Sequence, residues 1–172
     1  MSKSALQINA EYVVARILLA GFRMLPMRAA LFIGSRLGGS AYYLSGRLRR
    51  TGERNLKLAF PKLTDNEQGR LLRECFRNLG RLLGVFSQFP KAGKQQFQSL
   101  FDVEGLEHLE TARRKEHGII LFTGHIGAWE LSSFGLSLRG HPLSFLVRRI
   151  DNPKIEMMID RWRQSSGRSF WR

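Results

Sequence analysis

From residue 118 onward the sequence alternates short apolar runs with segments of helical period, and this alternation constrains the fold more than any other feature. GIILFTGHIGAWEL (118–131) contains an apolar, β-leaning run, Ile119, Ile120, Leu121 and Phe122, that stops at Thr123-Gly124. The pattern predicts a strand over 118–123, a helix over 127–139, a strand over 143–148 and a helix over 152–166. Apolar strands separated by helices build parallel sheet, because parallel neighbours need a crossover and the helices cover the sheet faces. Just upstream, FDVEGLEHLETARRKEHG predicts a short strand at 100–103, a turn at Gly105 and a helix over 106–115.

The first part of the chain reads as helical, over about 8–24, with a break near Pro26, and again over about 27–49. LTDNEQGRLLRECFRNLGRLLGVFSQFP is the clearest helix. Thr64 with Glu67 forms a capping box, and Leu63 is placed for a hydrophobic staple. Leu71, Leu72, Cys75, Phe76, Leu79, Leu82, Leu83 and Phe86 recur at helical spacing, which predicts a core helix with Cys75 on its buried side. The expected fold is α/β, a helical N-terminal part followed by a partial α/β sheet layer. Residues 1–60 are expected to be amphipathic, basic, membrane-associating helices, and 61–172 the N-terminal part of the α/β domain.

Charge points to the class of partner. The chain has 28 Lys+Arg against 14 Asp+Glu, a formal net charge of +14, so its partner is anionic. The excess sits at one end, with ten basic and two acidic residues in 1–60. Arg16, Arg23, Arg28 and Arg36 interrupt the apolar N-terminal segment, so no uncharged run reaches the roughly 18–20 residues of a spanning helix. Apolar helices studded with arginine suit an interfacial position, their guanidinium groups reaching lipid phosphates; the alternative is a pair of core-packed helices in a soluble protein. Arg47, Arg49, Arg50, Arg54 and Lys57 add a basic patch, at about 1 kcal/mol per cation close to an anionic bilayer. No helix-turn-helix, zinc-finger or RNA-binding signature accompanies the charge, so nucleic acid is not expected. A single cysteine rules out an intrachain disulfide and fits a reducing compartment.

His125 follows the apolar run directly and has glycines on either side, Gly124 and Gly127. Residues five apart on one continuous helix point about 140° from each other. With His125 held in the loop and Glu130 in the first helical turn, the carboxylate can reach one imidazole nitrogen, fix the tautomer and leave the other nitrogen as a base. H-x-x-x-x-E is weakly specific by itself, and an acid at a helix N-terminus is favourable without any catalysis. No H-E-x-x-H, second nearby histidine or cysteine cluster indicates a metal. His108 and His117 have no partner at catalytic or metal spacing and read as surface residues.

LSFLVRRIDNPKIE places Arg148 and Arg149 at the end of the next strand, on the same expected sheet edge as His125. Asp151 or Asn152 caps the following helix, with Pro153 at its first position. A guanidinium there suits a phosphate or a developing oxyanion.

These blocks together resemble the bacterial lipid A biosynthesis acyltransferases. The likeness rests on RNLKLAFPKL (54–63), FRNLGRLL, TGHIGAWE and the R-x-x-D-N-P of VRRIDNP. It implies transfer of a fatty acyl group from acyl carrier protein, or from acyl-CoA, to a hydroxyl of a lipid A precursor or related glycolipid. By that resemblance His125 is the base, Glu130 its partner and Arg148 the substrate-binding cation, with no cofactor and no metal. It also implies an acyltransferase-like α/β layer and a place on the cytoplasmic face of the bacterial inner membrane. Family members continue beyond the point matching residue 172, so a C-terminal truncation is expected. The alternative expectation is an inactive fragment that only associates with anionic membranes.

Overall fold

A computed structural model describes residues 3–88, 102–141, 143–146, 148–164 and 169–171. The chain forms two compact units, Met1–Lys91 and Ala92–Arg172. The helix that follows residue 60 packs on those before it, within the first unit.

The first unit contains α1 (Ala5–Met24), α2 (Met27–Leu44), α3 (Gly46–Ala59) and α4 (Asp65–Gln88). Ser4 caps α1, its hydroxyl accepting from the Gln7 amide at 3.2 Å. Pro26 ends the helix at Leu25, where the backbone is extended. The carbonyls freed at this end are satisfied from a distance. The Gln88 side chain, buried on α4, donates to Phe22 O at 2.7 Å and Leu25 O at 3.3 Å. The single helix expected over 27–49 is divided at Ser45, which leaves helical geometry at φ −103°, ψ 80°.

α2 and α4 form the centre of the unit. Ala30, Gly34 and Gly38 recur every four residues on α2 and face Gly80 and Gly84 on α4, so the two backbones touch. Small residues at this spacing are what allow helices to approach so closely. Phe22, Ala30, Leu72 and Phe76 are buried around the crossing. Tyr42 packs edge-on to Phe76 at 5.6 Å, with the Arg49 and Arg73 guanidinium groups over its ring.

The buried side of α4 is only in part the one expected: Leu72 and Phe76 are buried as expected, but the rest of the inner face is small or polar. Gln68, Leu72, Phe76, Gly80, Gly84 and Ser87 face inward, while Leu71, Cys75 and Leu79 are exposed. Cys75 is a surface thiol, because the close crossing selects small side chains and turns the leucine-rich flank outward. The staple at Leu63 is also replaced by a polar contact. The position that would carry its apolar partner is Gln68, whose amide donates to Leu63 O at 3.0 Å and Phe60 O at 3.3 Å.

The capping box forms as expected. The Thr64 amide and hydroxyl donate to Glu67 Oε2 at 2.8 and 2.7 Å, and the Glu67 amide donates to Thr64 Oγ1 at 3.3 Å. The Thr64 hydroxyl, then its amide, hold the Glu67 carboxyl below the ordinary carboxylate range, and Arg70 adds to this. A pKa lowered by folding means stabilisation that is present above the unfolded value and lost as pH falls through the folded one. Acid titration of unfolding is expected to show this loss, and Glu67→Gln to flatten it. Thr64→Ala is expected to cost about 1 kcal/mol at neutral pH in chemical denaturation.

α1 leaves Val13, Val14, Ile17 and Leu18 exposed. Among the described residues it is the one helix long and apolar enough to cross a membrane, by length and composition. Its 20 residues span about 30 Å, the thickness of a hydrocarbon core.

The second unit holds α5 (Leu106–Arg113), α6 (Trp129–Leu138), β1 (Ser144–Leu146), α7 (Pro153–Gln164) and β2 (Ser169–Trp171). β1 and β2 pair in parallel, Ser144 with Ser169 and Leu146 with Trp171. Among the described residues this pair is the whole sheet. The strand expected over 118–123 joins no ladder. Its run is exposed, Ile120 at 90% and Phe122 at 100%; a parallel strand needs a neighbour distant in sequence, and among the described residues this run has none. Of the strand expected at 100–103, residues 100 and 101 lie outside the described residues, and 102–103 form no ladder.

Candidate active site

His125 lies where the exposed apolar run gives way to α6. Gly127 takes a left-handed conformation at φ 55°, which a residue with a side chain resists, and it turns the chain into the helix. Ala128 is the N-cap and offers no side-chain hydrogen bond, so the Leu131 amide bonds to Ala128 O at 2.8 Å. The first amides of α6 thus lie close after the histidine in sequence, the arrangement that favours an anion at a helix start.

The His125 side chain is exposed and lies against Trp129, ring centroids 5.1 Å apart at 47°. The tryptophan limits the tilt of the imidazole and leaves its edge accessible. Glu130 stands in the first turn of α6, as the spacing predicts, and its side chain lies outside the described residues. Arg148 and Arg149 follow β1 and are exposed. No hydrogen bond, ion pair or ring contact among the described residues joins Arg148 to His125. The edge that the two were expected to share is not formed, since 118–123 is not a strand.

The sequence around Arg148 folds as its caps dictate. Asn152 is 1% exposed, and its Oδ1 accepts from the Lys154 and Ile155 amides at 3.1 and 3.3 Å, with Pro153 opening α7. The cap is Asn152 rather than Asp151.

A pair that the sequence reading does not identify closes the far end of α6. Gly140, at φ 91°, and His141 end the helix, their amides bonding back to Ser137 O and Leu136 O at 3.2 and 3.0 Å. The His141 side chain is nearly buried, with Nε2 3.4 Å from Glu110 Oε1 on α5. Glu110 and His141 are 31 positions apart, so no local spacing announces them. His141→Ala is expected to cost about 1–2 kcal/mol, read by denaturation, and Glu110→Gln less, because that carboxylate is half exposed. His108 and His117 are exposed, in line with their surface reading. Among the described residues no three metal-ligating side chains come together.

Residues 2–172 match the profile of a family described as bacterial lipid A biosynthesis acyltransferase. The chain is 28% identical over 148 residues to the lipid A biosynthesis palmitoleoyltransferase of Escherichia coli K12, covering 84% of this chain and 47% of that protein. It is 24% identical over 149 residues to the myristoyltransferase of lipid A biosynthesis from the same organism, with 87% and 46% covered. To the lauroyltransferase it is 28% identical over 149 residues, with 84% and 45% covered. The chain thus spans about half the length of the curated relatives it matches. No solved structure matches it. With the TGHIGAWE and R-x-x-D-N-P blocks both inside the matched residues, the chain belongs to the bacterial lipid A biosynthesis acyltransferase family.

Proposed function

We propose that this chain carries the base of an O-acyl transfer, in which a fatty acyl group passes from acyl carrier protein or acyl-CoA to a hydroxyl of a lipid A precursor or related glycolipid. The carrying observation is the exposed His125 beside the first turn of α6, held against Trp129. In this reaction the imidazole takes the acceptor proton as the hydroxyl oxygen attacks the thioester carbonyl. The carbon–sulfur bond then breaks and the thiol leaves with a proton. Glu130 holds the histidine's tautomer, and Arg148 with the amides at the start of α6 meets the oxyanion. The acceptor attacks directly, so no acyl-enzyme is formed and no cofactor is used.

The reaction site belongs to an α/β layer, a reading that the parallel β1–β2 pair supports. The chain works on an anionic membrane, the cytoplasmic face of the bacterial inner membrane, which the exposed apolar face of α1 and its arginines suit. The test is acyl transfer from acyl carrier protein to a lipid A precursor in membranes, comparing the 172-residue chain with His125→Ala. Equal rates for the two would overturn the assignment of the base.

A further inference from the structure

α3 turns its two sides to different surroundings. Arg49, Gly52, Glu53 and Leu56 face inward, where Leu72 of α4 packs directly against Gly52. The opposite side carries Arg47, Arg50, Arg54 and Lys57, all exposed. At about 100° per residue these four fall within roughly 80° of one side, along about 15 Å of helix.

Their charge is largely uncompensated among the described residues. Glu53, the acid on α3 itself, is held by Arg49 at 3.4 Å. Lys57 has Asp65 at 3.8 Å, with both side chains mostly exposed, a pairing worth little in water. Arg47, Arg50 and Arg54 make no ion pair among the described residues. Leu58, 77% exposed, lies next to this row, and Phe60 follows half exposed.

This is not the face of a helix that sinks into lipid. Such a helix shows a broad apolar sector beside its cations, as α1 does, and α3 has spent its inner flank on α4. What remains is a stiff row of cations, one per turn, with an apolar side chain at its end. That combination fits a protein partner that presents a row of carboxylates, with charge steering the encounter and Leu58 as anchor.

We propose that the Arg47–Arg50–Arg54–Lys57 row of α3 is the docking surface for an acidic helix of the carrier protein that delivers the acyl thioester. The partner's identity rests on the acyl-transfer reading; the surface does not.

The test is binding of purified acyl carrier protein to the full chain in neutral detergent, by titration calorimetry, for wild type and Arg50→Glu/Arg54→Glu. Vesicles of phosphatidylglycerol and phosphatidylcholine are titrated in parallel. The variant is expected to bind the carrier at least tenfold more weakly and the vesicles as wild type does. Unchanged carrier affinity overturns the proposal. Loss of vesicle binding, alone or together with carrier binding, also overturns it, since the row would then be a site for lipid phosphate or for anions generally. Arg50→Gln/Arg54→Gln, a milder change at exposed positions, guards against misfolding and is expected to weaken carrier binding in the same direction. Carrier binding by a wild-type chain that transfers no acyl group would sink the activity and leave the docking surface standing.

Discussion

His125→Ala is expected to lower acyl transfer from acyl carrier protein to a lipid A precursor by about 10²–10⁴-fold, the range a positioned general base supplies. The fold should tolerate the change. The imidazole is exposed, its recorded ring contact is Trp129, and surface truncations away from buried networks stay within about 0.5 kcal/mol. A fall in rate with an unchanged denaturation midpoint would therefore report on chemistry. The loss should appear in kcat more than in KM, because the proton moves in the transition state and the histidine adds little to ground-state binding. Glu130→Gln is the informative companion. If the carboxylate only sets the tautomer, an amide oxygen retains part of that role and the loss is smaller than for His125→Ala. A rate unaffected by His125→Ala would remove the histidine from the mechanism and leave the amides of α6 and Arg148 as the groups to test.

Features written in a few adjacent residues were legible. Thr64 and Glu67 cap α4, Asn152 and Pro153 open α7, and glycines on both sides of His125 mark the entry to α6; each depends on contacts within about four positions. Features that depend on distant partners were not. Gln88 closes the end of α1 from 66 positions away, and His141 meets Glu110 across 31. The run Ile119–Phe122 has the composition of a strand, but composition cannot supply the neighbour that makes it one.

The inner side of α4 was misread for a different reason. Apolar periodicity ranks Leu71, Cys75 and Leu79 above Gly80 and Gly84, and would be right for a helix packed through its side chains. Here the crossing is closer, and what it selects is the absence of a side chain. The same closeness turns leucines outward. Of the candidate site, the sequence offers residue types and order: His125, Glu130 and Arg148 each stand near an end of an expected element. Their spacing in the chain does not bring them together by itself: among the described residues the sheet is the β1–β2 pair alone.

The crossing itself gives the largest expected effect on stability. A Cβ on Gly80 would fall far inside van der Waals contact of the Gly34 carbonyl, and 2.9 Å from Gly38 N. A Cβ on Gly84 would lie 2.7 Å from Ala30 O. These obstacles are backbone on a second helix, so no rotamer change relieves them and α2 must move away from α4. Moving it unpacks Phe22, Ala30, Leu72 and Phe76, the buried apolar residues of the first unit. Gly80→Ala is therefore expected to destabilise that unit by about 3 kcal/mol, at the upper end for overpacking, although alanine is the better helix former. Gly69 provides the control. It sits on the same helix with nothing within 4 Å of its would-be Cβ, so Gly69→Ala should stabilise by about 0.5–1 kcal/mol through helix propensity alone. The same chemical change on one helix is thus expected to act with opposite signs eleven residues apart. Chemical denaturation in detergent, followed by circular dichroism, reads both. If Gly80→Ala raised the midpoint as Gly69→Ala does, the helices would not be in backbone contact, and the outward turn of Cys75 and its neighbouring leucines would lose its cause.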